Sequence, residues 1–90
     1  MKMTRHVKIY MKYFDYGEQD FIKCEACPEK AVDVHHIHGR GKDRDTIDNL
    51  IALCRKHHEQ AHFSKNHITP GEFQYIHNSF LAGNRKQFLN

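Results

Sequence analysis

The segment Cys24-Glu-Ala-Cys27 decides how this chain can fold. Two thiols at this spacing can bind one Zn²⁺ at about 2.3 Å each, because the turn between them points both sulfurs inward. A closed site needs a second pair of ligands, and the remaining cysteine supplies it in the segment Cys54-Arg-Lys-His57. The sequence therefore predicts a structural zinc site made of Cys24, Cys27, Cys54 and His57.

Two other interpretations of these cysteines fit less well. A thioredoxin-like redox pair needs a βαβ context, which the sequence lacks. A zinc finger that uses His58 and His62 needs a loop of about 12–15 residues between its ligand pairs, and the loop here is far longer. The choice of the fourth zinc ligand stays open between the neighbours His57 and His58.

Length and composition limit the class of protein. The chain has 90 residues, of which 39% are hydrophobic, with three cysteines, nine histidines and a net charge of +3. One small domain over residues 1–90 with a thin core is expected, and such domains often need a metal. No apolar run suits a membrane span or a secretory signal, so we expect a cytoplasmic protein without membrane contact.

Helices are predicted on both sides of the cysteine segments. Apolar residues at helical spacing indicate a helix over residues 4–16, capped at Thr4 and stopped at Gly17. Thr69-Pro-Gly-Glu72 has the pattern of a capping box and begins a second helix, over residues 70–82. His77 lies on its apolar stripe and is expected to be a satisfied core histidine. Residues 84–90, with Arg85 and Lys86, are expected to form a basic tail.

The histidines lie between and after the cysteine pairs. If residues 32–38 form a strand, alternate side chains point to opposite faces, so His35 and His36 cannot both be simple core residues. His58 and His62 are four residues apart, so on a helix they share one face and can bind one metal.

These residues together resemble the His-Asn-His (HNH) nuclease motif. The resemblance spans residues 24–62 and rests on His35-His36-Ile37, then Asn49-Leu-Ile-Ala-Leu-Cys54, then His58 and His62. It implies an α+β fold with a small ββα-metal (His-Me finger) core, a structural zinc knuckle and flanking N- and C-terminal helices. It also assigns residues 49–53 to a strand, where periodicity alone leaves strand and helix open.

The resemblance implies a metal-dependent endonuclease that hydrolyses DNA phosphodiester bonds. His36 would be the general base that activates water, since an imidazole suits this work near neutral pH. His35 and His58 would hold a catalytic divalent cation, with His62 or Asn49 completing the set. Asn49 either binds the metal or orients the base. Many relatives have Asp where this chain has His35, which favours Mn²⁺, Ni²⁺, Zn²⁺ or Co²⁺ over Mg²⁺.

Basic residues near the motif are candidates for phosphate contacts. They are Arg40, Lys42, Arg44 and Arg55. No helix has the pattern of a base-recognition element, so target specificity is expected to come from a protein partner or to be absent. The family resemblance extends to phage- and prophage-encoded nucleases that act in the host cell.

Two further classes of function remain at this point. A non-catalytic zinc module that binds nucleic acid or protein would bind DNA without cutting it under any divalent cation. A redox or metal-storage protein would ignore DNA, and its thiol reactivity would depend on chelation. Catalysis is the preferred hypothesis, because a domain without activity has no need to keep His35, His36, Asn49 and His58 together.

Overall fold

A computed structural model describes residues 1–41, 43–62 and 67–83 of the chain. Within these ranges it is a small α+β protein with three helices and one antiparallel sheet of two strands. In chain order the elements are α1 (Arg5–Tyr13), β1 (Asp33–His36), a 3₁₀ turn (Ile47–Asn49), β2 (Leu50–Leu53), α2 (Arg55–His62) and α3 (Pro70–Leu81). The expected α+β class with flanking helices is confirmed. Lys42, Arg85 and Lys86, singled out in the sequence, lie outside the described residues.

The sheet settles the ambiguous apolar run. β1 pairs with β2 so that Asp33 lies opposite Leu53 and His36 lies opposite Leu50. All four residues of β2 are buried, which explains why the run lacks a strand's alternation of polar and apolar residues. The resemblance predicts that Asn49 is the first residue of this strand. In the structure Asn49 is instead the last residue of the 3₁₀ turn, and the strand begins at Leu50.

Each face of the sheet carries its own apolar cluster. On one face, Leu50 and Ala52 pack with Val7 and Tyr10 of α1. On the other, Ile51 and Leu53 pack with the three cysteines and with residues of α3, among them Phe73 and Ile76. Because successive strand residues point to opposite faces, the short β2 can serve both clusters.

Helix α1 is shorter than predicted. It ends at Tyr13, not at residue 16, because Asp15 adopts a left-handed backbone conformation with φ of 58°. The amide of Tyr16 then donates to the carbonyl of Met11 at 2.8 Å and closes the end of the helix. Thr4 lies at the N-cap position but makes no side-chain cap bond. The helix therefore stops before Gly17.

Helix α3 follows its sequence signals closely. The Thr69 side chain accepts from the amide of Glu72, and the Glu72 carboxylate accepts from the amide of Thr69, so the capping box is confirmed. The helix ends at Leu81, one residue before the predicted end. The reciprocal cap satisfies two otherwise unpaired amides at the start of the helix.

A buried polar network joins both outer helices to the cysteine segment. The Glu25 carboxylate accepts from the Tyr10 hydroxyl at 2.6 Å and lies 2.8 Å from Nδ1 of His77. The other ring nitrogen of His77 contacts the carbonyl of Ile47. Tyr10, Glu25 and His77 are all fully buried. His77 is thus a satisfied core histidine, as predicted.

No helix in the described ranges combines the length and the apolar character that a membrane crossing requires.

Candidate metal centres and their surroundings

The two cysteine segments meet in a buried cluster. Sγ of Cys27 lies 3.7 Å from Sγ of Cys54, and Sγ of Cys24 lies 3.6 Å from Nδ1 of His57. All four side chains are buried, and their ligand atoms lie within 4.8 Å of one another. Cys24, Cys27 and Cys54 are free thiols and form no disulfide.

The spacing of these atoms fits a tetrahedral zinc ion. Ligands at about 2.3 Å (sulfur) and about 2.0–2.1 Å (nitrogen) from a zinc ion are separated by roughly 3.4–3.8 Å along the edges of a tetrahedron. The two distances above fall in this range, and the third, 3.2 Å between Sγ of Cys54 and Nδ1 of His57, is slightly shorter. The cluster is close enough to bind a metal and is compatible with structural zinc.

Burial makes the thiols of Cys24 and Cys27 unsuited to carry charge by themselves. Desolvation raises the pKa of Cys24 to about 12 and also raises the pKa of Cys27. Desolvation likewise lowers the pKa of His57, which keeps this imidazole neutral and able to donate a lone pair. A cation in the cluster would offset the cost of three buried thiolates, so metal binding and folding are expected to be coupled.

The structure decides which neighbouring imidazole joins the sulfurs. Helix α2 begins at Arg55, directly after Cys54, so residue 57 faces back over the cysteines. His57 is 1% exposed and lies in the cluster, whereas His58 points to the other metal candidate. The choice between His57 and His58 that the sequence left open is therefore resolved for His57.

A second cluster consists of His35, His58 and His62. Each offers one ring nitrogen, and these atoms also lie within 4.8 Å of one another. Nε2 of His58 lies 3.2 Å from Nε2 of His62, and the ring of His35 is 5.5 Å from the His58 ring, measured between centroids. Nitrogens bound to one ion at about 2.0–2.1 Å are roughly 3.0–3.4 Å apart, so this trihistidine cluster can hold a cation with small movements.

The trihistidine cluster is more exposed than the cysteine cluster, yet two of its rings, those of His35 and His58, have lowered pKa values. Desolvation, followed by the nearby His58 and His62, lowers the pKa of His35 to about 4. Desolvation also lowers the pKa of His58, although Asp33 opposes this shift. Neutral imidazoles are the form that binds metals, so the cluster is ready for a cation near neutral pH.

His36 lies on the opposite face of β1 and has different neighbours. Its Nε2 lies 2.7 Å from Oδ1 of Asp45, and its ring packs 4.4 Å from the ring of His6, measured between centroids. This contact holds the pKa of Asp45 below its usual range, so Asp45 is a carboxylate that can only accept. The proton of a neutral His36 therefore lies on Nε2, which leaves Nδ1 as the basic nitrogen.

Asn49 orders the loop that follows β1. Its Oδ1 accepts from the amide of His38 at 2.8 Å, while Nδ2 donates to the carbonyls of Arg44 at 2.9 Å and Gly39 at 3.3 Å. Its amide protons are thus used by the backbone. Of the two roles left open, metal ligand or orienting residue, this geometry favours a positioning role, since Asn49 fixes the loop that carries Asp45.

One cavity is lined both by the trihistidine cluster and by His36. It has a volume of about 230 Å³, and its lining includes His35 and His36 together with His58, His62 and Arg40. The two neighbouring histidines of β1 thus reach the same cavity although their side chains leave opposite faces of the sheet. A group bound there would lie between the trihistidine cluster and His36.

The basic residues named in the sequence separate into two groups. Arg40 and Arg55 line a cleft next to the trihistidine cluster. Arg44 lines a different cavity, together with Asp43 and Asp48. The three arginines therefore do not form one phosphate-binding surface, and Arg44 is the least suited to it, because neighbouring carboxylates repel phosphate.

Three residues around these clusters were not predicted from the sequence. Asp45 orients His36, His6 packs against it, and Oδ2 of Asp33 lies 3.7 Å from Nε2 of His58. Only Asp33 gave a signal, since it lies two residues before His35 on the same strand face. His6 is far from the motif in sequence, and Asp45 lies in a polar loop without a regular pattern.

Comparisons with family models, with curated proteins and with solved structures gave no match for this chain.

Proposed function

We propose that this chain is a metal-dependent endonuclease of the HNH type, which hydrolyses phosphodiester bonds in DNA. The observation that carries the proposal is the cavity of about 230 Å³, whose lining includes both His36 and the three residues of the trihistidine cluster. Phosphodiester hydrolysis needs these two elements together, a cation next to the scissile phosphate and a base for the attacking water. The proposal includes a ββα-metal core and a structural zinc ion held by the cysteine cluster.

In this proposal His36 is the general base. Nδ1 accepts a proton from water, and the Asp45 carboxylate, 2.7 Å from Nε2, stabilises the positive charge that the ring gains. The contact also fixes the tautomer and the orientation of the ring, so Asp45 is a positioning residue. His6 packs against the ring from α1 and restricts its rotation.

The trihistidine cluster would hold the catalytic divalent cation. Such an ion supplies Lewis-acid stabilisation of the charge that develops on the leaving oxygen. Three imidazole ligands favour Mn²⁺, Ni²⁺, Zn²⁺ or Co²⁺ over Mg²⁺, which prefers oxygen. Asn49 keeps the loop in place, and Arg40 at the cavity offers a donor to a phosphate oxygen.

The test is nicking of supercoiled plasmid by purified protein with Mn²⁺ or Mg²⁺. His36→Ala is expected to lower the rate by about 10²–10⁴-fold, the usual contribution of a general base, while it retains the fold and bound zinc. His58→Ala is expected to lose binding of the second cation and the activity together. His67→Ala, an exposed histidine outside both clusters, is the matched control.

The outcomes separate the hypotheses. Nicking that survives His36→Ala contradicts the base assignment. A shift of DNA mobility without cleavage under every divalent cation supports the non-catalytic zinc module instead. A protein that neither binds nor cuts DNA contradicts both.

A further inference from the structure

A second cleft adjoins the cavity of the trihistidine cluster. Its volume is about 470 Å³, and it lies between the N-terminal residues, the start of β1, Arg40 in the loop after β1, and α2. The cleft and the cavity share Asp33, Arg40 and His58 in their linings. The two spaces therefore adjoin, with His58 lining both and with His35 and His62 lining the cavity.

The cleft has an excess of cationic over anionic residues in its lining. Lys2, Arg40 and Arg55 contribute three positive charges, and Asp33 is the one carboxylate in its described lining. Arg55 is 79% exposed and lies 3.9 Å from Glu59, a contact that solvent weakens strongly. These side chains can therefore turn toward an anion at little cost.

One residue in the lining of this cleft, His6, has an unsatisfied polar atom. His6 is 9% exposed, its Nδ1 lies 3.1 Å from the Thr4 hydroxyl, and among the described residues its buried Nε2 has no hydrogen-bond partner. Buried polar atoms without partners are rare in folded proteins and often mark the position of a ligand or a water. Both His6 and Thr4 line the cleft.

We propose that this cleft binds the backbone phosphate adjacent to the scissile one, so that the substrate is a polynucleotide held at two consecutive phosphates. This inference rests on the proposed function, since it places the scissile phosphate at the trihistidine cluster. It adds Lys2 and His6, which lie outside the resemblance, to the substrate contacts. Phosphate binding by Lys2 and Arg55 is expected to add affinity without base specificity.

The first experiment measures binding of a short fluorescein-labelled DNA duplex by anisotropy, without divalent cations. The double variant K2A/R55A is compared with K8A/K12A, which removes the same charge from exposed positions of α1 outside both clefts. K2A/R55A is expected to weaken binding roughly tenfold and to reduce the slope of log K against log salt by about 2. Equal effects of both double variants, or no effect of K2A/R55A, would overturn the proposal.

The second experiment separates this inference from the proposed function. Bis(4-nitrophenyl) phosphate is a diester without a second phosphate, so it probes the trihistidine cavity alone. The ratio of kcat/KM for DNA to kcat/KM for this diester is expected to fall roughly tenfold in K2A/R55A and to stay constant in K8A/K12A. A fall by the same factor for both substrates overturns the second phosphate site but leaves the nuclease proposal standing. Failure of the wild type on both substrates overturns both.

Discussion

The two candidate metal clusters differ in burial although they lie on neighbouring residues of one short helix. His57 belongs to the cysteine cluster and is 1% exposed, while His58 belongs to the trihistidine cluster at the edge of an open cavity. One residue along α2 rotates a side chain by about 100°, enough to direct adjacent imidazoles to different centres. The helix therefore couples a closed centre to an open one.

The difference in burial indicates that the two clusters have different roles. A closed set of four ligands leaves no position for a substrate, so the cysteine cluster can only stabilise the fold. Three histidines beside a cavity leave ligand positions free, as a cation that acts on a substrate requires. The comparison predicts that damage to the first cluster is seen in stability and damage to the second in activity.

The largest expected effect is that of Cys54→Ser. A structural zinc ion contributes about 10–16 kcal/mol of apparent binding free energy, which is comparable with the whole stability of a domain, about 5–15 kcal/mol. We expect this variant to lose zinc and its cooperative thermal transition, measured by metal analysis and circular dichroism. His58→Ala is the matched control on the other cluster and is expected to retain both. A cooperative transition of Cys54→Ser at the wild-type Tm would contradict the division of roles.

A smaller effect is expected from the network that supports the cysteine cluster. His77→Phe leaves the Glu25 carboxyl group fully buried with Tyr10 and the distant amide of Ala52 as its remaining partners. Breaking a buried pair of this kind costs about 3–5 kcal/mol, measured by urea unfolding. Ser79→Ala on the same helix is expected to change the free energy of unfolding by at most about 0.5 kcal/mol. Equal costs for the two variants would show that the network adds no stability.

The smallest expected effect is a dependence of stability on pH that arises from the trihistidine cluster. The pKa of His35 is about 4 in the folded protein, against 6.5 for an ordinary imidazole. As pH falls below about 6.5, His35 becomes protonated in the unfolded chain but stays neutral in the folded protein. Stability is therefore complete above this pH and declines down to about pH 4.

This pH effect is measured by urea unfolding of zinc-loaded protein at about pH 7.5 and about pH 5.5, without a second cation. The wild type is expected to lose more stability than His35→Asn, by on the order of 1 kcal/mol or less. His67→Asn, at an exposed position, is expected to behave like the wild type. Identical losses in the wild type and His35→Asn would show that His35 titrates normally.

The elements that the sequence predicted well depend on local chemistry. The ligand spacing of Cys24 and Cys27 and the reciprocal cap of Thr69 and Glu72 are properties of a few consecutive residues, and the structure contains both. The convergence of His35 with His58 and His62 was expected only through the family resemblance. It is present because β1 packs against α2, a contact that no local pattern reveals.

The features that the sequence did not predict are tertiary contacts and one local backbone conformation. The sequence assigned no site residue to α1, yet its His6 packs against His36 and its Arg5 lies 3.4 Å from Asp45. The early end of α1 arises from the backbone conformation of Asp15, a residue that adopts positive φ more readily than most. The contacts of His6 and Arg5 join segments far apart in sequence, so periodicity and spacing do not indicate them.

The position of Glu25 inside the cysteine segment has a consequence for engineering and for evolution. Its carboxylate ties the segment to Tyr10 before the metal ligands and to His77 after them. Residues 24–62 alone would keep every ligand but would leave this acidic group facing solvent without either companion. Grafting residues 24–62 into another protein is therefore expected to require a tyrosine and a histidine in that protein at positions that contact Glu25.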